Sequence, residues 1–144
     1  MKNKQKRSGW DRYFMRIAEV VASRSTCERN HVGAVIVRDH ILLSTGYNGS
    51  MRAMPHCDET GHAMENGHCT NTVHAEANAI VQAAYTGASV KDAAMYVTSS
   101  PCWNCFKLIA NSGIRQVIYG SVYGDELSRV MRTARKIGIT FRKL

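Results

Sequence analysis

Ala94-Met-Tyr-Val-Thr98, followed by Pro101-Cys102-Trp103-Asn104-Cys105 running on to Asn111 and then by Gln116-Val-Ile-Tyr119, is the stretch that decides the fold. Its two runs of β-branched and aromatic residues read as strands. The segment between them opens on a proline, which suits the first turn of a helix, where its missing N–H would have had no partner. A strand joined to the next strand through a helix implies parallel neighbours in one sheet.

The flanking sequence extends the same pattern. Upstream, Val73 to Tyr85 is Ala-rich, with Ala75, Ala79, Ile80 and Ala83 at core-facing spacing and Gly87 placed to stop the helix. Helix therefore begins near His74 and Glu76. Further upstream, Gly33 to Val37 and Ile41 to Tyr47 are two β-rich runs joined by Arg38-Asp39-His40, which predicts an antiparallel hairpin. Trp10 to Ala22 carries apolar residues at Trp10, Tyr13, Phe14, Ile17, Val20 and Val21, the stripe of an amphipathic helix. Downstream, Glu126 to Lys136 reads as a last helix and Ile139 to Arg142 as a short strand. The expectation is an α/β protein with a mixed five-stranded sheet and helices on both faces. Asn48 to Asn71 has no periodicity, and loops of that length in a compact domain are functional or tied down.

At 144 residues the chain fits one domain, 1–144, with basic ends at 1–8 and 137–144 read as peripheral. A hydrophobic fraction of 44% and a charged fraction of 21% are those of an ordinary globular protein. The apolar runs are too short to span a bilayer, and no signal peptide is recognisable, so the expected location is the cytoplasm, with no membrane partner. The net charge of +8 would suggest nucleic acid, but four basic residues lie in 1–7 and six in 129–144, leaving nine against eleven acidic residues between. The excess is terminal, which argues against a nucleic-acid partner. Five cysteines without an export signal argue for metal binding or free thiols over disulfides.

His74-Ala75-Glu76 and Pro101-Cys102-Trp103-Asn104-Cys105 carry the chemistry. A catalytic zinc takes three protein ligands and leaves one position open, and one imidazole with two thiolates is such a set. Cys102 and Cys105 in the first turn of a helix face its N-terminus, where the dipole favours thiolate. Glu76, two residues past His74, sits where it can move protons between a water at the metal, the substrate ring and the leaving amine. H-x-E followed by P-C-x-x-C is the signature of zinc nucleobase deaminases.

With Arg24-Ser-Thr-Cys27, Val32 to Val37, Thr45-Gly-Tyr-Asn-Gly49, His56-Cys57 and Gly113-Ile114 added to these motifs, the chain resembles the deoxycytidylate deaminases from about Trp10 to Tyr123. The bacterial late-competence type and the phage type are among them. The resemblance implies a three-layer α/β/α cytidine-deaminase-like fold and zinc-dependent hydrolysis of dCMP to dUMP and ammonia, feeding thymidylate synthesis. It implies that Asn48 meets the sugar and phosphate, that Val73 packs on the base, that the backbone at Ser99 and Ser100 meets the leaving amine, and that Tyr123 borders the phosphate. It further implies a hexamer activated by dCTP and inhibited by dTTP, with Mg2+ accompanying the triphosphate. Gly46, Tyr47, Asn48 and Gly49 would line that effector site.

The other three cysteines, with one histidine, would close a second, structural zinc, which relatives in this family carry: Cys27, Cys57, His62 and Cys69, with His68 or His56 as the alternative to His62. Competing readings are a tRNA or single-strand base deaminase, a deaminase of dCTP or modified nucleotides, and a zinc-organised binding module without catalysis.

Overall fold

The segment from Ala94 to Ser121 folds as anticipated, strand then helix then parallel strand, in a computed structural model that describes residues 6–144 apart from the side chain of His68. Lys2 and Lys4 of the basic N-terminal run, and His68 as a ligand, lie outside the described residues. In chain order the elements are α1 (Trp10–Ala22), β1 (Gly33–Arg38), β2 (Ile41–Tyr47), β3 (Gly49–Ser50), α2 (Cys57–Thr60), β4 (Met64–Glu65), β5 (His68–Cys69), β6 (Thr72–Val73), α3 (Ala75–Thr86), β7 (Ala94–Ser99), α4 (Trp103–Ser112), β8 (Gln116–Ser121), α5 (Leu127–Ile137) and β9 (Thr140–Lys143).

The main sheet has the order β2-β1-β7-β8-β9. β1 is antiparallel to both its neighbours, while β7, β8 and β9 are parallel, which makes the sheet mixed. The β1–β2 turn needs only Asp39 and His40, with φ of 52° and 60°, the left-handed pair of a tight hairpin turn. β2, β7, β8 and β9 all run the same way, so α3, α4 and α5 are three crossovers of one hand stepping across the sheet in one direction. That places all three on one face. Their apolar residues meet there with Ala34, Ile36, Met95, Val97, Val117 and Tyr119, whereas Phe14, Met15 and Ala18 of α1 cover Val35, Val37, Tyr96 and Ile118 on the other.

The buried face of α1 is rotated from the expected stripe. Phe14, Met15, Ala18 and Ala22 are buried, while Trp10, Tyr13 and Val20 are exposed. The cause is a close approach to the sheet at Gly33, where an added Cβ would lie 2.1 Å from the Ala18 carbonyl oxygen; helix and strand can touch there only through small residues. The same device recurs on the opposite face. A Cβ at Gly46 of β2 would sit 2.3 Å from the Ala79 backbone nitrogen and 2.4 Å from the Ala75 carbonyl, so α3 lies with its backbone directly on β2. Ser44 Oγ donates to the Ala79 carbonyl at 2.5 Å and fixes the register. Among the described residues no helix is long and apolar enough to cross a membrane.

The 48–71 segment is tied down rather than loose. Gly49 pairs with Val73 and Met64 with Cys69 in two small antiparallel ribbons, and α2 adds a single turn between them.

Gly46→Ala is expected to destabilise the protein by about 3 kcal/mol or more, because the added methyl meets backbone that cannot rotate away; thermal unfolding reads it. At the sheet's far edge Asp11 ion-pairs with Arg142 and accepts from the Tyr96 hydroxyl at 2.8 Å. Burial raises the Asp11 carboxyl, but these two partners outweigh it and hold it below the usual value. A depressed folded value stabilises above the unfolded value of about 3.9 and is lost as pH falls through the folded one. Asp11→Asn should therefore lower the stability at pH 7 by on the order of 1 kcal/mol or less for so exposed a pair, with a slightly lower melting temperature, and the gap should close below about pH 4. Melting curves from pH 3 to pH 8 check this.

Candidate active site

Two helix N-termini converge at the carboxyl ends of the parallel strands. His74 is the N-cap of α3, and Cys102 is the N-cap of α4 with Cys105 in its first turn. His74 Nδ1 lies 3.6 Å from Cys102 Sγ and 3.4 Å from Cys105 Sγ, and all three donor atoms fall within 4.8 Å of one another. Zinc with bonds of about 2.3 Å to sulfur and about 2.0 Å to nitrogen spaces such ligands about 3.5 Å apart in a tetrahedron. The donor set fits that ion in both chemistry and spacing.

Within the thiol pair one sulfur is favoured as the thiolate. A hydrogen bond from the Cys105 thiol, helped by His74 and opposed by burial, holds Cys102 down at about 4. Cys105 is pushed up by the same bond and by its burial. His74 is raised chiefly by its contact with the Cys102 sulfur. Glu76 is 4% exposed, and burial pushes its carboxyl up to about 7. All but Cys105 of these four line a cavity of about 400 Å³, the size of a small-ligand site.

The remaining expected residues divide. Asn48, Ser99, Ser100 and Tyr123 line that cavity. Asn48 is buried with its side chain already engaged: Oδ1 accepts from the Val32 N–H at 2.9 Å and from Ser25 Oγ at 2.5 Å, and Nδ2 donates to the Asn30 carbonyl. It braces the loop that forms the cavity wall. Ser100 Oγ accepts from the Tyr123 N–H at 2.8 Å, fastening the two residues together. Val73 pairs with Gly49 behind the wall, and its neighbours Thr72 and His74 face the cavity. Gly46, Tyr47 and Gly49 stand outside the lining: Gly46 admits α3, and the Tyr47 carbonyl accepts from Asn78 Nδ2 at 2.8 Å.

A second cluster forms from Cys57, His62 and Cys69, with donor atoms within 4.8 Å and the two sulfurs 3.6 Å apart. Burial raises Cys57; at Cys69, Thr72 and His62 overcome burial and bring the thiol down to about 6. Cys27 is buried and lines the cavity but lies outside this triplet. His56 is engaged elsewhere, its Nδ1 2.9 Å from Thr26 Oγ1.

Sequence reasoning missed Arg29. It lines the same cavity, with Nη1 donating to the Gly67 carbonyl at 3.2 Å across the β4–β5 turn. Its position two residues past Cys27, in the loop feeding β1, was the available signal, but single residues in loops carry no periodicity.

A mixed α/β sheet whose helix N-termini present one histidine and two cysteines at the strand ends defines a metal-binding α/β/α protein. The chain belongs to the cytidine and deoxycytidylate deaminase family: residues 8–121 match the model described as the cytidine and deoxycytidylate deaminase zinc-binding region. It is 44% identical over 117 residues to ComE operon protein 2 of Bacillus subtilis, an alignment covering 81% of this chain and 62% of that protein. With the deoxycytidylate deaminase of Mycobacterium phage D29 it shares 38% identity over 125 residues, covering 78% of this chain and 95% of the phage enzyme. The Saccharomyces cerevisiae deoxycytidylate deaminase is 36% identical over 145 residues, but the alignment spans 45% of its length. The crystal structure of dCMP deaminase from cyanophage S-TIM5 in complex with dCMP and dUMP superposes with a TM-score of 0.82 at 27% identity, covering 97% of this chain and all of that one.

Proposed function

We propose that this chain is a single-domain, zinc-dependent deaminase that hydrolyses dCMP to dUMP and ammonia. The observation that carries the reading is Glu76, a buried carboxyl in a nucleotide-sized cavity beside the His74, Cys102 and Cys105 donors. The substrate is argued from relatives named as deoxycytidylate deaminases and from the cyanophage enzyme that holds dCMP and dUMP. Zinc on those three ligands would supply the Lewis acidity that makes water a nucleophile near neutral pH.

Glu76 takes the two protons of the attacking water in turn, handing the first to the ring nitrogen as the C–O bond forms and the second, from the added hydroxyl, to the amine, which leaves as ammonia when the C–N bond breaks. Its burial, which brings the carboxyl near 7, suits it to both directions. Val73 backs the base, the backbone at Ser99 and Ser100 receives the amine, and Tyr123 borders the phosphate. Among the described residues that line the cavity, Arg29 is the one Lys or Arg, and it pairs with the phosphate there. dUMP so formed feeds thymidylate synthesis in the cytoplasm.

The regulatory reading belongs to the same proposal: a hexamer, dCTP as activator, dTTP as inhibitor and Mg2+ arriving with the triphosphate. In it, the Gly46–Gly49 segment connects effector and substrate through Asn48, the residue of the four that lines the cavity. Cys57, His62 and Cys69 hold a structural zinc, with Cys27 nearby as the fourth ligand; its support is the spacing of the three donors.

Glu76→Ala is expected to keep its zinc while its kcat on dCMP falls by about 100-fold to 10,000-fold. Ammonia release measured beside metal content checks it, and near-normal turnover by the variant would contradict the assignment.

A further inference from the structure

Helix α4 starts on the two thiols of the His74 cluster, and this leaves its N-terminus poorly capped. Cys102 offers its sulfur to the Cys105 N–H at 3.5 Å, a long contact to a weak acceptor. A sulfur that gives a lone pair to a metal has less left for that role. The Trp103 N–H, the first orphan donor of the helix, is taken from outside: Glu126 Oε2, at the start of α5, accepts it at 2.9 Å. Arg129, one turn further along α5, lies with its guanidinium 3.8 Å from the centre of the Trp103 ring. Backbone and ring of the residue that follows Cys102 are thus both gripped by α5.

We propose that Glu126 is a positioning residue for the metal-ligating pair, capping α4 at the Trp103 N–H, a donor the Cys102 sulfur does not take, so that both sulfurs stay aimed toward His74 Nδ1 when the ion holds them. The role rests on the reading of His74, Cys102 and Cys105 as zinc ligands. It also joins the site to the pocket mouth, because the loop that delivers Glu126 is fastened at Tyr123 to Ser100, two residues before Cys102. Removing the acceptor loosens the two thiols without touching either of them. An oxygen acceptor of the same length restores the cap.

The test uses the zinc-loaded full chain and compares Glu126→Ala, Glu126→Gln and Arg129→Met with the wild type. Zinc release to a chromogenic chelator, the thiolate-to-cobalt absorption of the cobalt-substituted protein, and kcat and KM for dCMP are measured. Loss of a group that orients metal ligands costs about 10-fold to 100-fold in metal affinity or activity. Glu126→Ala is therefore expected to release zinc at least about 10-fold faster, shift the cobalt–thiolate bands and lower kcat with little change in KM. Glu126→Gln should stay close to wild type in all three, and Arg129→Met should move zinc release in the same direction as Glu126→Ala by a smaller factor. Wild-type zinc release and cobalt spectra in Glu126→Ala, even with a lower melting temperature, overturn the proposal, as does damage in Glu126→Gln equal to that in Glu126→Ala. Wild-type protein lacking any zinc that Cys102→Ser removes would instead overturn the metal reading beneath it.

Discussion

The backbone of α3 rests on β2 at Gly46, with no room for a single methyl group between them, and the positions of His74 and Glu76 at the start of α3 follow from that contact. Ala75 and Ala79 meet the strand, Ser44 pins the Ala79 carbonyl, and Asn78 reaches back to the Tyr47 carbonyl. The N-terminus that carries His74 and Glu76 is thereby fixed against the carboxyl end of the sheet. α4 arrives at the same place for a different reason: it follows β7 through a short connection, and its crossover has the same hand as that of α3. Two helix ends meeting at one point are a consequence of topology, which the side chains then exploit.

What they exploit is a conflict of environments. Burial drives the Glu76 carboxyl toward its neutral form, while the hydrogen bond within the thiol pair and the neighbouring His74 favour a thiolate at Cys102. A carboxyl that can both accept and donate a proton lies beside a soft thiolate sulfur. Neither group would behave so in water: Glu76 is shifted by the burial of the first turn of α3, and Cys102 by the hydrogen bond from Cys105.

Much of this was legible in the sequence because it is periodic or motif-bound. The helix at Trp10–Ala22, the hairpin from Gly33 to Tyr47 and the strand–helix–strand unit from Ala94 to Ser121 form where alternation and apolar spacing place them. Which face of α1 is buried was not legible, since it depends on Gly33 admitting Ala18 and Ala22 from a distant part of the chain. The ribbons at Gly49–Ser50 and Met64–Cys69 are too short to leave a pattern, and they exist only against their partners. Asn48 lines the cavity, and its polar atoms also hold Ser25, Asn30 and Val32 in place, partners that no sequence spacing marks. Arg29 and Glu126 are single charged residues whose meaning comes from what lies across space from them, the Gly67 carbonyl and the Trp103 N–H.

The most direct test of the account is a crystal structure of the zinc-loaded protein with anomalous diffraction at the zinc edge. A peak is expected about 2.3 Å from both Cys102 Sγ and Cys105 Sγ and about 2.0 Å from His74 Nδ1, facing the cavity that Glu76 lines. Zinc density elsewhere with none among these three atoms would contradict it.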